Sequence, residues 1–329
     1  MNKLKDYKFL IKLAVSGGIL VILFSRMDRT MLEDLADHIQ ASAWTYATLL
    51  VLLQTAFLSL RWMYLLNIGH RRMNFPQSIQ MTLTSMLANM LFISSIGGIF
   101  VRVALALQYG ATLFKSVLAT AIDRMMTLAA LVLLTALFLP TLGNYIEGGI
   151  HETLSYFTGA TIITIFVFTP LFLRVVLANL PRLPMAERNV RSARRYLQVL
   201  LTDYVLMGKV VGSSLVAQMC FFVAIYCISI SAGVSLSFLQ LMTVLPVIAL
   251  VASLPISFGG WGLREGAFVY GYGLLGVPME TAFLISVQIG LISMLATIVA
   301  GIPAILTTDT DALGIHSRSL MTRLKKFRT

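Results

Sequence analysis

The hydrophobic positions of this chain fall into long uninterrupted runs rather than into alternating patterns. A membrane-spanning helix needs about 20 apolar residues. Six runs approach or exceed that length: 9–25, 43–60, 113–139, 157–173, 210–230 and 282–306. Two shorter runs, 79–93 and 239–254, end in glycine-rich sequence instead of a polar loop. The pattern predicts an all-α polytopic membrane protein.

The composition supports the same class. The 329 residues are 58% hydrophobic and 12% charged, against roughly 25% charged in an ordinary soluble domain. These values exclude a soluble enzyme, a disordered chain and a disulfide scaffold. The first run resembles a signal peptide, but no small-x-small cleavage site precedes Arg26, so we expect a retained first span.

The charge is lopsided, with a net value of +11. Nineteen of the 25 basic residues lie in four groups, at residues 3–12, 61–72, 174–209 and 318–328. Basic residues beside spans collect on the cytoplasmic side. We therefore predict a multi-pass membrane protein with both termini on the cytoplasmic side, and no nucleic-acid partner. Its expected location is the bacterial cytoplasmic (inner) membrane.

This topology leaves two segments that must enter and leave the membrane on one side. Pro76 is predicted inside and Pro140 outside, and the run 113–139 supplies the one crossing between them. Residues 79–110 must therefore form a broken hairpin, either re-entrant or as two short crossings. The same reasoning applies to residues 239–276.

The two predicted hairpins carry a shared motif at an offset of 162 residues. The first copy is Ser95-Ile96-Gly97-Gly98-Ile99-Phe100-Val101-Arg102, and the second is Ser257-Phe258-Gly259-Gly260-Trp261-Gly262-Leu263-Arg264. The same offset superposes the flanking spans. We predict one transmembrane domain, 1–329, made of two inverted repeats, 1–140 and 155–306, followed by a cytoplasmic tail, 307–329. Each repeat contains three spans and one broken hairpin, an arrangement typical of transport sites.

The shared motif predicts an anion site at each hairpin tip. Glycine pairs allow sharp turns and close approach, and helix N-termini favour anions. Arg102 and Arg264 would then begin a new half-helix and add bidentate phosphate capture. The predicted headgroup-binding set is Ser95, Gly97, Gly98, Arg102, Ser257, Gly259, Gly260, Arg264 and Glu265. A structural alternative is that Arg264 pairs with Glu265 and that Arg102 reaches the membrane interface.

Other polar positions within the apolar runs are weaker candidates. Asp123 and Arg124 lie deep in the run 113–139, either as a mutual pair or as part of a polar path. Pro246 and Pro255 are expected to kink or break the run 239–254. Asn89 and Gln288 are expected to bridge helices, and Trp62 is expected at the membrane interface. No metal site, cofactor motif or catalytic constellation is readable.

The second motif also carries a family resemblance. Residues 255–266, PISFGGWGLREG, followed by Gly276-Val277-Pro278, resemble the signature of the lysylphosphatidylglycerol synthase transmembrane-region family, and Ser95–Arg102 resembles its earlier motif. These flippase-like domains occur alone and as the N-terminal half of the multiple peptide resistance factor. The resemblance covers essentially the whole chain. It implies movement of an anionic, modified or polyprenyl-linked lipid between leaflets.

Three functions follow, in decreasing order of support. The first is a lipid transporter or flippase, not an enzyme, that holds an anionic headgroup between Arg102 and Arg264. The second is a membrane enzyme that uses Asp123, Arg124 and Glu265 for acid–base chemistry. The third is an accessory subunit of a lipid-synthesising enzyme, docked through the arginine-rich residues 180–196. No particular oligomeric state is predicted.

Overall fold

A computed structural model describes residues 40–69, 73–91, 95–142, 187–253 and 262–306, and within these ranges the secondary structure is entirely helical. Ten helices are present there. They are α1 (Ala41–Asn67), α2 (Phe75–Leu91), α3 (Ser95–Gln108), α4 (Leu113–Leu142), α5 (Glu187–Thr202), α6 (Tyr204–Ser231), α7 (Phe238–Met242), α8 (Leu245–Ala252), α9 (Leu263–Gly273) and α10 (Met279–Leu306).

Four of these helices are long and apolar enough to cross a membrane: α1, α4, α6 and α10. They confirm four of the six predicted spans, while the predicted spans 9–25 and 157–173 lie outside the described residues. Helix α1 continues past the predicted end at residue 60, because Arg61 and Trp62 are buried against neighbouring helices.

Helices α1 and α6 form an antiparallel pair at the centre of the described bundle. Near the start of α1, Ala47 and Val51 share a buried cluster with Ile225 and Ile228 from the end of α6. At the other end of the pair, Leu65 of α1 shares a second cluster with Val210 of α6. Among the described residues, a large hydrophobic cluster therefore lies at each end of this pair.

Helices α2 and α3 form a tight antiparallel hairpin. The Tyr109 hydroxyl, just after α3, lies 3.3 Å from Oε1 of Gln80 in α2. Deeper in the hairpin, a Cβ on Gly98 would overlap the Ser85 carbonyl and the Asn89 side chain. Only glycine allows the two backbones to approach this closely.

A second hairpin is formed by α7 and α8 on one side and α9 on the other. Gly271 near the end of α9 packs against Ile248 of α8. Pro246 was expected to kink or break this segment, and the structure shows a break, since α7 ends at Met242 and α8 begins at Leu245. Pro246 lies in the first turn of α8, where the missing N–H has no helical partner to lose.

The remaining long helices connect the hairpins to the central pair. Helix α10 packs along α2, and Nε2 of Gln80 donates to the Ala304 carbonyl at 3.2 Å. Helix α4 contacts α8, and both α4 and α10 contact α1 and α6. This packing brings side chains from helices distant in sequence to common positions inside the bundle.

Candidate functional site

Three buried charged side chains meet where α1, α3 and α4 converge, and we call them the first charged cluster. Arg61 Nε donates to Asp123 Oδ1 at 2.7 Å. Arg102 Nη1 donates to Asp123 Oδ2 at 2.9 Å. The exposed fraction of each residue is at most 8%. One carboxylate is thus shared by two guanidinium groups in an apolar bundle.

The two arginines of this cluster differ in how many of their nitrogen atoms are hydrogen-bonded. Arg61 also donates from Nη1 to Ser214 Oγ at 3.0 Å and from Nη2 to Thr127 Oγ1 at 2.8 Å. By contrast, Arg102 Nε is buried without a hydrogen-bond acceptor in the described part of the chain. The Arg102 guanidinium carbon lies 4.8 Å from the centre of the Trp62 ring, a cation–π distance. Arg102 is therefore the member with spare donor capacity.

Two sequence-based expectations are wrong here. Arg61 was assigned only to a cytoplasmic group that sets topology, yet it lies in the core of the cluster. Trp62 was expected at the interface, yet it is fully buried beneath Arg102. The apolar residues on both sides of Arg61–Trp62, from Ala43 to Leu66, were the signal that α1 continues through them.

The suggested mutual pairing of Asp123 and Arg124 is also not observed. Both carboxylate oxygens of Asp123 are directed to Arg61 and Arg102, and Arg124 is exposed on α4. The interface alternative for Arg102 is likewise excluded by its burial and its bond to Asp123.

The first glycine pair lies inside a helix rather than in a turn before one. Helix α3 begins at Ser95, so Gly97 and Gly98 fall in its first turn and Arg102 in its second. This corrects the expectation that Arg102 begins a half-helix. The Gly98 N–H donates to Asn89 Oδ1 at 2.8 Å, which satisfies a donor that a helix start leaves unpaired. Asn89 thus bridges two helices, as predicted.

The second arginine forms a compact pair with its neighbour, and we call Arg264 and Glu265 the second charged pair. Arg264 donates to Glu265 Oε1 from Nε at 3.0 Å and from Nη2 at 2.6 Å. The Glu265 side chain is fully buried. Pairing of Arg264 with Glu265 was the predicted alternative to headgroup binding, and the structure contains this pair. Arg264 also lies in the first turn of α9, as predicted.

Glu265 also closes the N-terminus of its helix. Its Oε2 accepts from the Gly262 N–H at 2.5 Å, so the carboxylate satisfies a free donor and complements the helix dipole. Gly262 has a φ of +83°, a conformation that side chains disfavour. On the facing helix α10, Gly290 lies directly against the Arg264 guanidinium.

The two charged groups lie in opposite halves of the bundle. Asp123 is ten residues into α4, about 15 Å along its axis, beside residues of the core that contains Leu65. Ser286, whose hydroxyl lies 3.5 Å from Glu265 Oε1, follows Ile285 in the other core. At that end, Trp44 Nε1 donates to Gln288 Oε1 at 2.9 Å and bridges α1 to α10 as predicted for Gln288.

The other predicted site residues are only partly visible. Ser257, Gly259, Gly260 and Pro255 lie outside the described residues, and Ser95 is described only as the first residue of α3. Within the described ranges, no group of three or more His, Cys, Asp or Glu residues could hold a metal ion.

Helix α5 covers the first charged cluster from one end of the bundle. Its Tyr196 hydroxyl donates to the Leu65 carbonyl at 2.7 Å. Burial raises the pKa of Tyr196, and the negative charge of Asp123 raises it further. Tyr196 therefore stays neutral and acts as a donor between the cluster and the end of the bundle.

Comparison with known proteins identifies a family. The family model described as the lysylphosphatidylglycerol synthase TM region matches residues 9–301. No curated protein and no solved structure gives a significant match. The match spans all ten described helices except the end of α10.

Proposed function

Because the chain belongs to the lysylphosphatidylglycerol synthase transmembrane-region family, we propose that this integral membrane protein moves an anionic or modified phospholipid between leaflets. The headgroup binds first at Arg102, in the first charged cluster. This proposal rests on one observation above all: two buried guanidinium groups share a single carboxylate.

The charge balance of the cluster favours an anionic ligand. Its three members carry one net positive charge inside an apolar bundle. A charged side chain at the centre of a membrane helix costs about 2.5–3.5 kcal/mol on insertion scales. An anionic headgroup offsets that cost by neutralising the excess charge. Arg102 is the contact point because its Nε has no acceptor among the described residues, whereas Arg61 is bonded through Nε, Nη1 and Nη2.

The packing supports an inverted repeat as the basis of movement. At the 162-residue offset, α1 matches α6, α4 matches α10, and α3 matches α9. Helices α1 and α6 are antiparallel, as two oppositely oriented copies require. Equivalent contacts also recur, since α2 packs on α10 as α8 packs on α4. We propose that the broken hairpins are re-entrant from opposite sides and expose the headgroup alternately.

In this proposal the second charged pair is the weaker headgroup site. Arg264 already binds Glu265 through two nitrogens, so a headgroup must compete with that carboxylate. Ser95, Gly97 and Gly98 at one hairpin, and Ser257, Gly259 and Gly260 at the other, contribute close backbone approach. Two anion sites of unequal strength allow the headgroup both to enter and to leave.

The test uses the full chain reconstituted into liposomes that contain a fluorescent anionic phospholipid. We expect Arg102→Gln to slow the exchange of label between leaflets about ten-fold, the effect of losing one charge-assisted contact. Arg194→Gln, which alters an exposed arginine of α5 outside both charged groups, is the matched control. Size-exclusion and thermal unfolding profiles establish that both variants are folded. Exchange at the wild-type rate in folded Arg102→Gln would overturn the assignment of the headgroup site.

The same preparation separates the two other functions. If the isolated chain changes the mass of the lipids, the enzyme alternative with Asp123, Arg124 and Glu265 replaces the transporter. If label does not move and a lipid-synthesising enzyme co-purifies in fixed ratio, the accessory-subunit alternative replaces it. Movement of chemically unchanged lipid supports the proposal.

A further inference from the structure

A separate cavity lies at the end of the bundle that carries α5. It has a volume of about 220 Å³ and is lined by the start of α4, by α5 and by the residues that follow α1. The polar residues in its lining are Thr112, Lys115, Ser192, Arg195 and Tyr196. None of the lining residues, all of which are described, is acidic. The lining therefore contains two basic residues, three residues that carry a hydroxyl group and no acidic residue.

Lys115 is the most informative residue of this cavity. Its Nζ is buried and has no hydrogen-bond partner in the part of the chain that the structure describes. An ammonium group has three donors and no acceptor, and burying such donors without partners is costly. Every partner that could satisfy Lys115 from within the cavity must supply acceptor oxygens. Arg195 adds a second cation on the exposed face of α5.

The position of α5 places exposed arginines at the end of the bundle that carries this cavity. Its buried side chains, Ala193, Tyr196, Leu197 and Leu200, pack on the bundle, and its arginines at 191, 194 and 195 are exposed. Clustered basic residues close to membrane spans attract anionic headgroups and other anions. The cavity is thus within reach of both lipid phosphates and soluble anions.

The cavity is distinct from the first charged cluster. Lys115 precedes Asp123 by eight residues on α4, about 12 Å along the helix. Tyr196 contributes to the lining, and its hydroxyl donates to the Leu65 carbonyl of α1. Arg61, Arg102 and Asp123 are absent from the lining.

We propose that this cavity is a second anion-binding site, which takes a phosphate group between Lys115 and Arg195. The volume is well above the about 15 Å³ that one water molecule needs. It is below the roughly 300–1,000 Å³ of pockets for drug-sized ligands, so the ligand is a headgroup-sized phosphate rather than a whole lipid. Arg195 supplies the planar fork that suits phosphate oxygens, and Lys115 supplies a point charge. The phosphate comes either from an anionic lipid or from a soluble ion.

The experiment measures binding by the full chain in maltoside micelles, which contain no phosphate. In one arm, inorganic phosphate is titrated and followed by calorimetry. In the other arm, phosphatidylglycerol is added to the micelles and retained lipid is counted by native mass spectrometry, with diacylglycerol as the phosphate-free control. We expect Lys115→Met and Arg195→Gln each to weaken binding about ten-fold in whichever arm the wild-type protein binds.

The control is the adjacent arginine. Arg194 is exposed on α5 like Arg195 but does not line the cavity, so we expect Arg194→Gln to bind like the wild type. Equal losses in Arg194→Gln and Arg195→Gln would indicate diffuse surface attraction and overturn the site. Absence of binding in both arms would overturn it as well. Binding in the phosphate arm alone identifies a soluble ion, and binding in the lipid arm alone identifies a headgroup.

The variants at Lys115 and Arg195 test the phosphate site independently of the proposed transport. Arg195→Gln changes an exposed side chain, so it reports on the site even if Lys115→Met does not fold. The experiment measures binding and not lipid movement, so loss of transport in Arg102→Gln leaves this proposal unaffected. Loss of phosphate binding in Arg195→Gln likewise leaves the proposed transport function unaffected.

Discussion

Arg61 Nε and Asp123 Oδ1 lie 2.7 Å apart although 62 residues separate them in the chain. The bond joins the last third of α1 to the first half of α4, and Arg102 from α3 binds the second oxygen of the same carboxylate. Three helices are therefore tied together by one acidic side chain. The stability of this end of the bundle and the proposed binding of an anionic headgroup therefore depend on the same three residues.

Removing Arg61 should destabilise the protein without removing the headgroup contact proposed for Arg102. Arg61→Gln breaks a buried ion pair, which typically costs about 3–5 kcal/mol, and weakens the bonds to Ser214 and Thr127. Thermal unfolding in detergent measures the loss, with the exposed Arg194→Gln as the control, for which a change within about 0.5 kcal/mol is expected. An Arg61→Gln variant as stable as the control would contradict the role assigned to this pair.

Neutralising Asp123 should be more harmful than neutralising Arg102. Asp123→Asn leaves two buried guanidinium groups without their carboxylate, whereas Arg102→Gln leaves the Arg61–Asp123 pair intact. Adding Arg102→Gln to Asp123→Asn should therefore recover stability, with a coupling energy of about 0.5–3 kcal/mol. Unfolding of the two single variants and the double variant gives the cycle. Simple additivity of the two losses would show that Arg102 and Asp123 do not interact.

Adding one methyl group at Gly98 should disrupt the first hairpin. In Gly98→Ala the Cβ meets the Ser85 carbonyl and the Asn89 amide, so α2 and α3 must separate, at a cost of about 1–3 kcal/mol.

Gly212→Ala in α6 is the matched control, because no atom lies within 4 Å of its Cβ position. That change should stabilise the protein by about 0.5–1 kcal/mol. Unfolding transitions of the two variants that shift in the same direction would be inconsistent with close packing at Gly98.

Neutralising Glu265 should lower stability and raise the affinity for anionic lipid. Glu265→Gln weakens the cap on Gly262 and the bonds from Arg264, a loss of roughly 1.5–3 kcal/mol for bonds to a charged group. It also removes the carboxylate with which a headgroup must compete. Thermal unfolding and retained lipid by mass spectrometry are measured on the same sample. A fall in both quantities would argue against Arg264 as a headgroup ligand.

Much of the architecture could be predicted from the local sequence. Four spans were predicted close to their observed bounds, because about 20 consecutive apolar residues have one stable conformation in a bilayer. A kink or break at Pro246 was also predicted, since proline cannot donate the backbone hydrogen bond of a continuous helix. The helix-bridging roles of Asn89 and Gln288 were predicted because amide side chains within a membrane form hydrogen bonds to neighbouring helices. The family was recognisable from the glycine–arginine motifs alone.

The composition of the site was decided only by the tertiary structure. The sequence singled out Arg102, Arg264, Asp123 and Glu265, but it assigned Arg61 to topology and Trp62 to the interface. It also put the first glycine pair in a turn, whereas Gly97 and Gly98 lie within α3. Which arginine meets Asp123 depends on how α1, α3 and α4 pack, and that contact joins residues 62 positions apart. A hydrophobic run is recognised from residues that are adjacent in the chain. The partner of a buried charge, by contrast, depends on which helices meet in the folded bundle.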